Sequence, residues 1–101
     1  MLHFSAFTPF LVLKENLMEN TKRIGVISII IHDRKESAEK VNHIISEHGP
    51  IILARLGLPY EPKSINIIAL IVNGTTDEIG SLTGKLGALK GVEVKSVLTK
   101  A

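Results

Sequence analysis

The run from Ile24 to Ile31 most constrains what this chain can fold into, reading Ile-Gly-Val-Ile-Ser-Ile-Ile-Ile. β-Branched residues favour extended backbone, and successive side chains of a strand point to opposite faces. Neither alternating set in this run is polar. A strand here must therefore be covered on both faces, which excludes a strand lying at a wet surface.

Length and composition predict a folded domain and exclude several classes of function. The chain has 101 residues, with 45% hydrophobic and 22% charged residues, which is typical of a single globular domain. Twelve basic and ten acidic residues give a net charge of +2, without the basic patch that duplex DNA binding requires. Cysteine is absent, which excludes disulfides, thiolate metal sites and cysteine nucleophiles. The absence of cysteine fits a reducing cytoplasm, where we expect the protein. We expect no membrane association, because no apolar run approaches the about 20 residues that span a bilayer.

Residues 1–22 differ from the rest and are predicted to be an N-terminal extension of a domain covering 23–101. They contain all three phenylalanines of the chain and end in a polar run. Thr8-Pro9 could begin a short helix. Alternatively, the natural protein begins at Met18, which is the favoured interpretation. A native peptide that spans Met18, found by mass spectrometry, would exclude it.

The first half of the domain predicts strand, helix and strand. Asp33 and Glu36 have the spacing of a capping box, opening a helix to about His48 that stops at Gly49-Pro50. The second strand is expected from Ile51 to about Leu58. A proline-containing segment then turns the chain.

The second half repeats the pattern as strand, helix and strand. The third strand, Ile65 to Val72, is apolar at nearly every position. Thr75 and Glu78 form a second capping box, which begins a helix to about Lys90. The last strand is predicted over Val92 to Thr99. Three glycines in this helix, expected to let its backbone pack closely on the sheet, are Gly80, Gly84 and Gly87.

The order βαββαβ predicts an α+β fold, a ferredoxin-like sandwich with two helices on one face of a four-stranded antiparallel sheet. We expect the central strands, one and three, to run parallel to each other. Both are apolar on both faces, yet the chain's own helices cover only one. Leaving several buried-type side chains in water is costly, at about 1.5 to 3 kcal/mol each. The sequence therefore predicts a homodimer or homotetramer through the sheet, with Arg55, Glu93 and Lys95 at the interface rim.

Candidate residues for catalysis and metal binding do not form a constellation. The histidines His43 and His48 are five residues apart on a helix, not one turn apart as paired ligands would be. No serine or threonine has the spacing of an activated nucleophile, and the acids of the predicted helices lie on helix surfaces or in first turns, where capping and compensation of the macrodipole explain them. We expect no enzyme activity, no metal and no cofactor.

One edge of the sheet carries the candidate effector site. If strands one and three run parallel, the segments that follow them emerge together, each at a helix N-terminus, where backbone N–H groups attract anions. Helix capping explains the same residues and is the favoured interpretation. The candidate residues for a small anionic effector are Asp33, Arg34, Lys35, Asn73, Gly74 and Thr75.

From Arg23 to Thr99 the chain resembles a small ACT-like, ferredoxin-fold family of regulators of iron-only hydrogenase systems. The stretches that carry the resemblance are Arg23 to Val26, Ser46 to His48, Arg55 to Tyr60 and Gly91 to Lys95. The resemblance implies an ACT-like regulatory domain that self-associates and binds a small effector where protomers meet.

The same span resembles, more distantly, the C-terminal domain of nickel-responsive repressors, which form tetramers and bind nickel through three histidines and a cysteine. Those ligand positions fall here on Ser46, Gly57, Pro59 and near Asn66, none of which can bind nickel in that way. The 22 residues before the first strand are too few for the DNA-binding module of those repressors. This resemblance implies the fold and oligomerisation, and it speaks against nickel sensing.

The sequence thus favours a non-enzymatic regulatory domain that is not expected to bind nucleic acid by itself. Two alternatives stay open. One is a transcription regulator that contacts nucleic acid directly, for which steep loss of affinity with salt would be the signature. The other is an accessory protein that binds a partner in hydrogenase maturation.

Overall fold

Six main elements in the predicted order make up the domain. The computed structural model describes residues 22–32 and 35–100. The elements are β1 (Arg23–His32), α1 (Lys35–Glu47), β2 (Ile52–Tyr60), β3 (Ile65–Gly74), α2 (Thr76–Gly87) and β4 (Val92–Leu98). The predictions for Thr8-Pro9 and Met18 lie outside the described residues. None of the described helices is long and apolar enough to cross a membrane.

The four strands form one antiparallel sheet in the order β2-β3-β1-β4. β1 pairs with β3 from Arg23 opposite Gly74 to His32 opposite Ile65. The prediction that strands one and three run parallel was wrong. Helical crossovers join β1 to β2 and β3 to β4, and the two strands of each of these pairs run in the same direction without being neighbours in the sheet. β3 lies between β1 and β2 and runs the other way, because the short 3-10 turn Glu61–Lys63 reverses the chain after β2.

The core lies between the two helices and one face of the sheet, and the predicted helical stripes supply it. Val41 and Ile45 of α1 are buried. α2 contributes residues at helical spacing that are 0 to 2% exposed. Burying such a side chain fully is worth about 1.5 to 3 kcal/mol. The buried residues from α2 and the two central strands are Ile27, Ile29, Ile31, Ile68, Leu70, Val72, Ile79, Leu82 and Leu86.

The helix ends follow local chemistry. The capping box predicted for α2 is confirmed, since the Glu78 N–H donates to Thr75 Oγ1 at 3.1 Å and the Thr75 N–H donates to Glu78 Oε1 at 2.9 Å. α1 ends at Glu47, ahead of the 3-10 turn Gly49–Ile51, as Gly49-Pro50 predicts. Asp33 of the other predicted capping box lies outside the described residues.

The glycines of α2 do not pack on the sheet, so that prediction was wrong. A Cβ atom built at Gly80, Gly84 or Gly87 meets nothing within 4 Å. All three residues are exposed. At 100° per residue they lie well away from the buried stripe that contacts the sheet. The glycines therefore lower the stability of α2 without a compensating contact in the described part of the chain.

Candidate functional site

The four described residues of the predicted anion site, Lys35, Asn73, Gly74 and Thr75, do not come together at one edge. Lys35 begins α1 at the end of the sheet where β1 finishes. Asn73, Gly74 and Thr75 follow at the opposite end, because Gly74 pairs with Arg23 at the start of β1. Along a ten-residue strand the two ends are about 30 Å apart. Asp33 and Arg34 lie outside the described residues.

The antiparallel pairing of β1 and β3 is the reason for this separation. A composite site needed two helix N-termini at one edge, and α1 and α2 begin at opposite edges instead. At the N-terminus of α2, the Glu78 carboxylate occupies the position that an anionic ligand would take. A Cβ at Gly74 would lie 3.1 Å from Glu78 Oε1, and that oxygen accepts the Thr75 N–H. Thr75 therefore caps α2, which was the favoured interpretation.

The described histidines each have a local partner. His43 Nε2 lies 3.4 Å from Glu47 Oε2, and His48 Nδ1 lies 2.8 Å from the Ile44 carbonyl oxygen. His32 Nε2 contacts Glu93 Oε2 at 2.5 Å across β1 and β4. Within residues 22–32 and 35–100 no three histidine or acidic side chains are placed to hold a metal ion. His3 lies outside this part of the chain.

The face of the sheet opposite the helices is apolar and uncovered, and we call it the helix-free face. On β1 it carries Ile24, Val26, Ser28 and Ile30, while the alternating set Gly25, Ile27, Ile29 and Ile31 packs against the helices. Val26 is 50% exposed. The register places these apolar residues of the neighbouring strands on the helix-free face: Leu56, Leu58, Tyr60, Ile65, Ile67, Ala69, Ile71 and Val97.

β2 turns its apolar set away from the protein's own core. A bulge between Ile52 and Ala54 shifts the register, after which Leu56, 70% exposed, lies on the helix-free face. Arg55 therefore points to the helix side, so its predicted place at the rim of the helix-free face was wrong. Glu93 and Lys95 do lie on that face, on the edge strand β4.

A groove of about 200 Å³ separates α1 from β2, and we call it the α1–β2 groove. Arg55 Nη2 donates to Asn42 Oδ1 at 2.5 Å across its mouth. Sequence reasoning missed this groove, because an alternation of Arg55, Gly57 and Pro59 on the helix side reverses the usual apolar-inward pattern. The residues that line it include Ile31, Ala38, Asn42, Arg55, Gly57 and Asn66.

Three of the positions that correspond to nickel ligands in the repressors lie close together in this structure, but the residues there cannot bind nickel in that way. Gly57, Pro59 and Asn66 all line the α1–β2 groove. Ser46 is exposed on α1. Glycine and proline side chains offer no donor atom for a metal. These residues therefore do not form a nickel site of the repressor kind, in line with the expectation against nickel sensing.

This architecture, with its antiparallel sheet and two helices on one side, defines an ACT-like ferredoxin fold. Residues 23–96 match the TM1266-like family, whose description is "Iron-only hydrogenase system regulator, putative". The chain belongs to this family, as the sequence resemblance predicted.

Among similar proteins is the uncharacterized transcriptional regulator MJ0080 of Methanocaldococcus jannaschii, 30% identical over 77 residues. That match covers 76% of this chain and 58% of the relative, so the chain spans little more than half of that protein.

Two solved structures support the fold. The uncharacterized protein TM1266 from Thermotoga maritima is 37% identical, with a TM-score of 0.76, over 78% of this chain and 99% of that one. The ACT domain of a GTP pyrophosphokinase from Chlorobium tepidum is 22% identical, with a TM-score of 0.65, over 76% of this chain and all of that one. The second likeness concerns the fold alone.

Proposed function

We propose that this protein is a non-enzymatic regulatory domain of an iron-only hydrogenase system, which self-associates through the helix-free face and binds a small effector where protomers meet. The description of its family supports the regulatory role. The single observation that carries self-association is the uncovered apolar face of the sheet.

The amount of exposed apolar surface argues for a covering partner. Val26, Leu56 and Leu58 are 50 to 70% exposed, and further aliphatic side chains lie between them on the same face. Monomeric proteins rarely expose a contiguous apolar patch of more than a few hundred Å². Four strands about 4.8 Å apart and roughly eight residues long span about 500 Å² in projection. A standard interface buries about 800 Å² of accessible surface per partner, and because the accessible area of a face covered with side chains exceeds its projected area, this face is of comparable size.

A second copy of the chain is the occupant that the face fits best. Its apolar centre lies on β2, β3 and β1, and its charged residues, Glu93 and Lys95, are confined to the edge strand β4. An apolar centre with a charged rim is the usual anatomy of an interface. A two-fold axis places the same patch on both partners and can set Glu93 against Lys95 of the other copy.

Sedimentation equilibrium of the full chain tests self-association. We expect two or more protomers at micromolar concentration. Val26→Asp should shift the mass to one protomer, because a buried charge without a partner is costly. Ser81→Asp, a matched change on the exposed side of α2, should leave the mass unchanged. Circular dichroism verifies that both variants fold. A wild-type mass of one protomer would contradict the proposal.

The effector can be sought without knowing its identity. Native mass spectrometry of the purified oligomer should show an added small-molecule mass, which is lost after denaturation and refolding. An oligomer that carries protein mass alone after gentle purification from its natural source would count against a tightly bound effector.

A second candidate function is direct transcription regulation, which the similarity to a transcriptional regulator favours. The test is a mobility shift with the full chain and promoter DNA over a range of salt. Affinity that falls steeply with salt concentration would favour phosphate contacts and direct DNA binding. Absence of a shift at low salt would leave regulation through effector or protein binding.

A further inference from the structure

We propose that self-association through the helix-free face is regulated by pH, with the side chain of His32 as the group that responds. This inference rests on the self-association proposed above and deepens it, because it names a regulation of the same face. A protonated His32 competes with Lys95 of a second copy for the carboxylate of Glu93. Acid therefore weakens the pairing of two copies.

His32 and Glu93 form a contact at one corner of the helix-free face. His32 ends β1 and follows Ile30 in the alternation that faces away from the helices, and Ile30 pairs with Glu93 of β4. The His32 Nε2 atom lies 2.5 Å from Glu93 Oε2. The backbone N–H of His32 donates to the Gly91 carbonyl oxygen at 2.8 Å, which holds the two strands together at this corner. The two side chains are 50 and 68% exposed, so a covering partner can bury them.

The charge of the helix-free face depends on this one imidazole. Among the described strand residues, the register places on this face three side chains that are charged or gain a charge between about pH 5 and 8: His32, Glu93 and Lys95. Carboxylates and ammonium groups keep their charge over this range, whereas an imidazole gains a proton. With His32 neutral, the charges of Glu93 and Lys95 cancel. With His32 protonated, each copy carries an excess positive charge on the face that meets its partner.

Among the described residues, the strands beside β1 add no other charge to this corner of the face. On β3, the residue opposite His32 is Ile65. On β2, the residue opposite Ile65 is Tyr60, whose phenol is uncharged over this pH range. An apolar side chain thus separates His32 from the nearest polar group on that side.

The other charged groups at this end of the sheet lie outside the strands. Within residues 22–32 and 35–100, the salt bridge of His32 is to Glu93, and Lys95 forms none. Asp33 and Arg34, which follow His32 in the sequence, are outside the described residues. The remaining charged residues at this end belong to the start of α1 and to turns: Lys35, Glu36, Glu61, Lys63 and Lys90.

Glu93 has a different partner in each protonation state. Lys95 lies two residues further along β4 on the same face, about 7 Å away at the spacing of a strand. With His32 neutral, the Glu93 carboxylate can pair with Lys95 of a second copy across a two-fold axis. A protonated His32 is a charged donor to the same carboxylate, and it leaves the ammonium group of each copy without a counter-charge. Burying a charge without a partner is costly, so the pair of copies is weakened.

The direction of the pH dependence follows from the protons that each state binds. Separate copies accept a proton on His32 more readily than paired copies do, so falling pH favours separation. Each copy contributes one His32, so two separate copies bind up to two protons more than a pair does. The dissociation constant should therefore rise by at least about tenfold between pH 8 and pH 5.5.

Sedimentation equilibrium of the full chain at pH 8 and pH 5.5 tests the proposal, in 0.15 M sodium chloride, which screens charges more than about 8 Å apart. The wild type should show the rise in dissociation constant. His32→Gln keeps a neutral donor for Glu93, so its dissociation constant should change by less than about twofold. His43→Gln, a matched change on the exposed side of α1, should keep the wild-type pH dependence. Circular dichroism at both pH values verifies that each protein is folded.

Lys95→Gln gives the sharpest test, because it should reverse the direction of the pH dependence. Without the ammonium group, the face carries the negative charge of Glu93 at pH 8, and a protonated His32 cancels that charge at pH 5.5. Copies of this variant should therefore pair more tightly at the lower pH, where like charges no longer repel.

Three results would overturn the proposal. They are a wild type that pairs as tightly at pH 5.5 as at pH 8, a pH dependence that persists in His32→Gln, and Lys95→Gln pairing no more tightly at the lower pH. Any of these results from an oligomeric wild type would leave the proposed self-association standing. A wild-type mass of one protomer at both pH values would instead refute self-association and this regulation together.

Discussion

At the scale of single residues, Gly25 lets β4 approach β1 where a methyl group would collide. A Cβ at this position would lie 2.5 Å from Leu98 Cδ2 and 3.3 Å from the Val97 carbonyl oxygen. Gly25→Ala should lower the free energy of unfolding by up to about 1 kcal/mol, the low end of the cost of overpacking, because the end of the Leu98 side chain can move away while the Val97 carbonyl must shift by a few tenths of an ångström. Urea unfolding measures it. Leu98→Val removes part of the clash, so the double variant should lose less than the two single losses added together.

Alanine substitutions at the glycines of α2 are expected to change the free energy of unfolding in the opposite direction. Gly80→Ala and Gly84→Ala should each raise the free energy of unfolding by up to about 1 kcal/mol, because the new methyl group meets open space and alanine favours helix. Thermal or urea unfolding of the two variants checks this. A loss of stability in either variant would mean that this side of α2 is covered in solution, in which case the oligomeric state should change as well.

At the scale of elements, the N-terminus of α2 depends on its capping box. Thr75→Ala removes the oxygen that accepts the Glu78 N–H and should cost about 1 kcal/mol of stability. Thr76→Ala, one residue further on and exposed, is the matched control and should change stability by less than about 0.5 kcal/mol. If urea unfolding showed the same loss of stability for both substitutions, the loss could not be attributed to the capping box.

The helices and strands also show which structural features can be predicted from local sequence. The cap of α2 was predictable because Thr75 and Glu78 bond each other across one turn. The direction of β3 was mistaken, because the right-handed crossover rule links strands that a helix joins, and the helix α1 joins β1 to β2. The face of Arg55 was mistaken because the bulge after Ile52 shifts the alternation of β2.

At the scale of the whole molecule, the candidate sites depended on those long-range features. The six-residue anion site required two strand ends that the register separates. The α1–β2 groove required knowledge of where α1 lies relative to the β2 edge, which pattern alone does not give. The apolar character of the helix-free face was predictable, because both alternating sets of β1 are apolar, whichever set the helices cover.

Self-association through an apolar face should respond to salt in a characteristic way. We expect the sedimentation mass to stay constant up to 1 M sodium chloride, which screens charges to about 3 Å. Ammonium sulfate should strengthen association, because it favours burial of apolar surface. Dissociation by sodium chloride would show that the charged rim at Glu93 and Lys95, and not the apolar centre, holds the copies together.

The two edges of the sheet limit how large an assembly can grow. β2 carries a bulge and Pro59, and β4 is seven residues long with Lys95 on it. Short, charged or kinked edges resist the addition of further strands. Copies stacked on the helix-free face would present only helices outward, leaving no second sheet surface to recruit a third layer. If two copies pair through this face as proposed, the contact would end in a closed, four-layer particle, and fibrous growth would be opposed at its edges as well as at its faces.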